Sequence, residues 1–174
     1  LNTAISYAKT SGTAENPAII ELAANVEIAN TLDEWGTPRG IEVDEGVITL
    51  DLNGHIIKLT GDDNNVAIIV DNGATLTIND SSEGKQGKIT NAMYVLNPDN
   101  GKLVINGGTF EGELALWGVE NESVIEINGG TFIATYDAIY AQRSILTITG
   151  GTFNGDRYAL YLISGGTASI TGGS

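Results

Sequence analysis

Tyr94, Trp117, Tyr140 and Tyr161 recur at intervals of 23, 23 and 21 residues, each between aliphatic or small neighbours. Rings held with one edge in water grip the apolar faces of sugar rings, while polar groups beside them read the hydroxyls. Such groups are at hand. Asp137, Asp156 and Arg157 precede the aromatic positions, Glu120, Gln142 and Arg143 follow them, and Tyr136 and Tyr158 could form a wall. The same rings would also stack well along an exposed sheet, or lie beneath a protein partner. Sugar contact, structural stacking and a protein interface all stay open.

Acid–base chemistry has its own candidates. A glycosidase needs two carboxylates across a cleft, roughly 5–9.5 Å apart. Glu111, Glu113, Asp137 and Asp156 lie in the turns before the aromatic positions. A lyase needs a base plus a cation over the uronate carboxylate. Here Lys58, Lys102, Arg143 and Arg157 are dispersed, with Lys85 and Lys88 in a loop. His55 follows Gly54 with no Ser or Cys motif beside it and reads as a turn residue. Asp62 and Asp63 offer hard oxygen donors of the kind Ca²⁺ takes, without the spacing of a calcium loop. They read as a polar insertion, so no cofactor is expected, and Ca²⁺ is the one ion to consider.

Composition narrows the partners. With 22 Asp and Glu against 8 Lys and Arg, the 174-residue chain carries a formal charge of −14. Phosphate backbones and anionic lipid surfaces would be repelled, which argues against nucleic acid and membrane partners. No apolar run approaches the ~18 residues of a membrane span. There is no cysteine, hence no disulfide and no thiolate chemistry. The chain begins at Leu1 with no basic or apolar signal stretch, and reads as a mature or excised segment.

The elements that must hold these residues come from a repeat. Ile105-Asn-Gly-Gly-Thr-Phe110 recurs at Ile127–Phe132 and, with Thr for Asn, at Ile148–Phe153; Ile170-Thr-Gly-Gly closes the chain. Read backwards, Ile28, Leu52 and Ile78 fill the same slot, giving spacings of 24, 26, 27, 22, 21 and 22 residues. Apolar residues two apart, as in Leu76-Thr-Ile78, predict short strands that stack in parallel at one per repeat. Asn53, Asn79, Asn106 and Asn128 predict an Asn ladder at the turn, continued by Thr149 and Thr171. Ile57, Ile89, Phe110, Phe132 and Phe153 predict a stacked internal column. A third strand is read from Ile20-Glu-Leu22, Ile41-Glu-Val43, Ile68-Ile-Val70, Met93-Tyr-Val95 and the three later aromatic triplets. Its outer column would be Glu21, Glu42, Ile69, Tyr94, Trp117, Tyr140 and Tyr161, putting the four rings on a strip roughly 15 Å long. Leu1, Ile5 and Ala8 share a face and predict a helix over 2–9 covering the N-terminal end.

These motifs, with Ile48-Thr-Leu-Asp-Leu-Asn-Gly-His-Ile-Ile57 and Asn72-Gly-Ala-Thr-Leu-Thr-Ile78, resemble right-handed parallel β-helix proteins of the pectin-lyase-like class. More narrowly, they resemble repeat regions of bacterial cell-surface or secreted proteins. The resemblance implies an all-β, single-stranded right-handed parallel β-helix (a solenoid) of about seven coils in one domain, 1–174. Residues 1–17 would be the cap and 18–174 the coils. The chain stops within a repeat, so further domains beyond Ser174, or a partner at that end, are expected. The class contains lyases, glycosidases, adhesins and spacers, so the fold alone does not select an activity. The balance falls on an extracellular, non-catalytic scaffold or adhesin-like module. Its expected partners are carbohydrate or a host or cell-surface protein, at Tyr94, Trp117, Tyr136, Tyr140, Tyr158, Tyr161, Arg143 and Arg157. The alternative is a polysaccharide-active enzyme.

Overall fold

A computed structural model describes residues 1–32, 36, 38–61, 65–118 and 123–174. The architecture is all-β with parallel sheets, apart from one helix at Asn2–Ser11. That helix buries Ile5 and Ala8 against the start of the sheets, as their spacing requires. It ends at Gly12, whose amide donates to the Ala8 carbonyl at 2.8 Å. A Cβ on Gly12 would lie 2.1 Å from the Val47 carbonyl oxygen, so the backbone crosses there only without a side chain.

The first sheet is the seven-stranded ladder Ala18–Glu21, Val47–Asp51, Thr75–Asn79, Lys102–Ile105, Val124–Ile127, Ile145–Ile148 and Thr167–Ile170. Each strand pairs in parallel with its counterpart one repeat away, with Leu50, Ile78, Ile105, Ile127, Ile148 and Ile170 in register. The second sheet holds two further ladders joined by its long strands, Lys88–Pro98 and Thr109–Gly118. One joins Val26–Ala29, Ile56–Thr60, residues 88–90 and 109–112, Thr131–Ala134 and Thr152–Gly155. The other runs through Pro38–Val43, Val66–Val70, residues 94–98 and 114–118, Asp137–Gln142 and Tyr158–Ile163.

Alternation fixes the inside. Leu76, Ile78, Leu103, Ile105, Ile125 and Ile127 are fully buried, and the residues between them, Thr77, Val104 and Glu126, are not. The expected internal column is in register, Val26 continuing it downward through Ile57, Ile89, Phe110, Phe132 and Phe153. Its three rings stack at 5.1 and 5.0 Å between centroids. The Gly-Gly pair makes the corner feeding that column. Gly130 has φ +100°, and a Cβ on Gly129 would sit 2.7 Å from the Asn106 carbonyl oxygen.

Three register expectations need correction. Ile20, not Ile28, fills the first slot of the first sheet, because Ala18–Glu21 pairs with Val47–Asp51 while Val26–Ala29 pairs with Ile56–Thr60. Glu21 and the Ile20 triplet therefore leave the third strand. In the second repeat the slot is Leu50 rather than Leu52, so Asp51, not Asn53, is the rung below Asn79. Above it the amide ladder holds: Asn106 donates to Asn79 at 2.8 Å, Asn128 to Asn106 at 2.9 Å, and the Thr149 hydroxyl to Asn128 at 2.8 Å. Ile69 keeps its expected place beside Glu42 in the outer column and outside the core cluster, although it is buried there. Tyr94 lies off that column, for a reason given below.

Candidate functional site

The site grows from the corner where the second ladder turns into the third. The corner is built repeat upon repeat by backbone bonds. Tyr94 donates its amide to the Asn65 carbonyl at 3.0 Å, Tyr136 to Glu113 at 3.1 Å, and Arg157 to Tyr136 at 2.8 Å. The Asn65 side chain, itself buried, accepts the Met93 amide at 3.0 Å. Asn91 takes the left-handed φ of +65° and donates its amide group to the Leu59 carbonyl at 2.6 Å. These contacts open a groove of about 330 Å³, whose lining includes Thr90, Asn91, Met93, Glu111, Glu113 and Thr135. Lys88 neutralises Glu111 at 2.7 Å, whereas Glu113 has no ion pair among the described residues.

None of the four rings is among the residues lining this groove; Tyr94 follows the lining residue Met93 and feels the charge of the lining residue Glu113. The β-strand pairing sets Tyr94 opposite Leu114, and Leu96 opposite Leu116, with a bulge between Glu111 and Gly112. Tyr94 is thus not the counterpart of Trp117 in the strand register. Its ring nevertheless reaches Trp117 and stacks on it, 4.2 Å between centroids and 18° between planes. Burial, then the Glu113 carboxylate, pushes the Tyr94 hydroxyl above its ordinary range. Trp117 pairs directly with Tyr140, and Tyr140 with Tyr161. The last two meet edge to face at 5.4 Å. All four rings are half-buried, leaving part of each in water.

A second cluster flanks them. The Arg157 guanidinium lies 3.7 Å above the Tyr136 ring and 5.1 Å from the rings of Tyr158 and Tyr161. It grips Asp137 as a fork, Nε to Oδ1 at 2.9 Å and Nη2 to Oδ2, and its Nη1 donates to the Tyr136 hydroxyl at 2.6 Å. The Asp137 hydrogen bond holds Arg157 above its ordinary pKa range. Tyr158 stacks on Tyr161 at 5.2 Å. Asp137 is fully buried beneath this fork and so cannot touch a substrate. Of the four candidate acids, the fold brings only Glu111 and Glu113 to one groove; Asp156 is exposed in its turn. Arg143 is exposed at a left-handed turn, and Gln142 is half-buried just before it.

The remaining candidates resolve simply. His55 closes the Leu52 turn, its amide donating to Leu52 at 2.8 Å and its carbonyl accepting from Lys88 at 3.0 Å. Asp62, Asp63 and Glu120 lie outside the described residues, among which no group of His, Asp or Glu is arranged to hold a metal ion. The 80–88 insertion is pinned to the opposite turn: Asp80 accepts from the Gly54 and Gly87 amides and the Ser82 hydroxyl, each at 2.8 Å. Burial would raise Asp80, but these bonds outweigh it and lower it.

One feature escaped sequence reasoning. Asp44, Asp71 and Asp99 follow three register-matched strand ends, Val43, Val70 and Pro98, and so stack as a carboxylate ladder. Burial, with the charges of Glu42 and Asp44, pushes Asp71 up to about 6, Arg39 opposing and Asp99 reinforcing. The signal was only partly present in the repeat: Asp44 and Asp71 directly follow the Ile41 and Ile68 triplets, but Asp99 lies four residues past Val95.

Comparison with protein-family models, with curated proteins and with solved structures returns no match. No described helix is long and apolar enough to cross a membrane.

Proposed function

We propose that the three ladders are the faces of a right-handed parallel β-helix of about seven coils, of the pectin-lyase-like kind, forming one domain over 1–174. On this reading the chain is a non-catalytic module of a bacterial surface or secreted protein. It binds carbohydrate along the ledge of Tyr94, Trp117, Tyr140 and Tyr161, with Tyr136, Tyr158 and the exposed Arg143 beside it, and Arg157 acts by holding the rings in place. The observation that carries the reading is the half-exposed Tyr94–Trp117 stack, whose Tyr94 hydroxyl feels the charge of Glu113 in a polar groove of about 330 Å³. A ring platform next to hydroxyl- and amide-bearing side chains is how a protein meets both faces of a sugar.

A glycan array read together with tryptophan fluorescence tests it. A hit that shifts the emission, and loses the shift in Trp117→Ala, supports the ledge; a blank array overturns it in favour of scaffold duty alone. A polysaccharide-active enzyme is the second reading, favoured by one observation: Glu111 and Glu113 line the same groove. Glu113→Gln should then abolish reducing-sugar release, and a chain that releases nothing from a broad polysaccharide panel removes this reading.

A further inference from the structure

The charges around the ledge are distributed unevenly. Lys88, the cation at the groove, is already paired with Glu111 at 2.7 Å. Arg157, the cation among the rings, is committed to Asp137 and the Tyr136 hydroxyl. Glu113 lines the groove with its side chain exposed and without an ion pair among the described residues. Its charge is felt by the Tyr94 hydroxyl. The whole chain adds a formal −14. A sugar ring seated here meets an acceptor-rich, negative surface, and the Glu113 carboxylate links it to the Tyr94–Trp117 stack.

We propose that this groove is a subsite for a sugar carrying a protonated amine, with the Glu113 carboxylate as its acceptor. The proposal rests on the carbohydrate reading of the ledge and names the ligand class. The ring platform supplies stacking for any pyranose, and the unpaired carboxylate discriminates among them. A uronate is repelled, an N-acetylated ring loses the charge, and a free amino sugar gains a charge-assisted hydrogen bond.

The test is calorimetric titration with β-1,4-linked oligomers of glucosamine and of N-acetylglucosamine, with an α-1,4-linked oligogalacturonate, and with a trilysine peptide as the charge control. The glucosamine oligomer should bind about tenfold tighter than the N-acetylated one, the scale of one such bond, and the galacturonate weakest. The preference should shrink as salt rises, because Glu113 is exposed. Glu113→Gln should erase the preference, bringing glucosamine binding down to that of the N-acetylated oligomer; Trp117→Ala should weaken both. Equal binding of the amine and acetyl forms with no effect of Glu113→Gln overturns the amine subsite while the ledge stands. Trilysine binding as tight as glucosamine reduces it to charge attraction. Loss of neither ligand in Trp117→Ala overturns the ledge itself.

Discussion

Phe132 is the middle ring of the internal stack, and removing it tests how the repeats hold each other. It is fully buried, with Phe110 at 5.1 Å on one side and Phe153 at 5.0 Å on the other. Truncating a buried Phe to Ala costs ~3–5 kcal/mol. Losing two ring contacts at once, each worth ~0.5–1.5 kcal/mol, puts Phe132→Ala at about the upper end of that range. For a chain of this length each kcal/mol lowers Tm by ~2–4 °C, so the drop should be ~10–20 °C. Phe153→Ala should cost clearly less, because Phe153 is only half-buried and loses a single stacked neighbour. Thermal melts by circular dichroism, with urea unfolding beside them, read both variants. A Phe132→Ala protein within ~1 kcal/mol of the parent, or one no worse than Phe153→Ala, would refute the inference that stacking between repeats carries the stability.

Other consequences are open to measurement. Asp71 is raised in the folded chain to about 6 from an ordinary 3.8, so its proton is bound more tightly when folded. The Asp71 contribution to stability should therefore rise as pH falls from 7 through 6 toward 5, by about 1 kcal/mol after solvent screening, before the lowered Asp80 begins to act in the opposite direction. Asp71→Asn should flatten that part of the profile, and a profile unchanged by the substitution would contradict the carboxylate ladder. Gly129→Ala drives a Cβ to within 2.7 Å of the Asn106 carbonyl oxygen and should destabilise by ~1–3 kcal/mol in urea titrations. Asp137→Asn strips Arg157 of its forked partner; the melting temperature should fall and sugar binding weaken together, since the Tyr136 and Tyr158 rings are held through Arg157. Unchanged stability in Asp137→Asn would mean the fork is incidental.

The stack itself was legible because Ile-Asn-Gly-Gly-Thr-Phe writes the corner and the internal ring into each late repeat. The Phe110–Phe132–Phe153 register follows from it directly. The early repeats lack Gly-Gly, and there period-two alternation is identical in all three ladders. Apolar spacing alone thus does not distinguish the ladder of Val26-Glu-Ile28 from that of Ile20, or Leu52 from Leu50. Tyr94 shows a different limit. It stands opposite Leu114, three residues short of Trp117, a displacement of which the one-residue bulge at Glu111/Gly112 accounts for one, yet its ring stacks on Trp117. The four ring positions were visible as a periodicity, but their division into a Tyr94–Trp117 stack and a Tyr cluster around Arg157 depends on side-chain direction. Asp137 looked like a solvated turn carboxylate, and only its complete burial under the Arg157 fork removes it from the acids able to meet a substrate.

The most direct test of the ledge is the double substitution Trp117→Ala with Tyr140→Ala, titrated with the glycan the parent binds and melted in parallel. Both rings are half-buried on the outer face, so the account predicts affinity falling at least ~10-fold, a loss of ~1.4 kcal/mol, while unfolding stays near the parent. Binding that survives the double substitution, or a collapse of stability as large as that of Phe132→Ala, would contradict it and make the outer rings a structural stack.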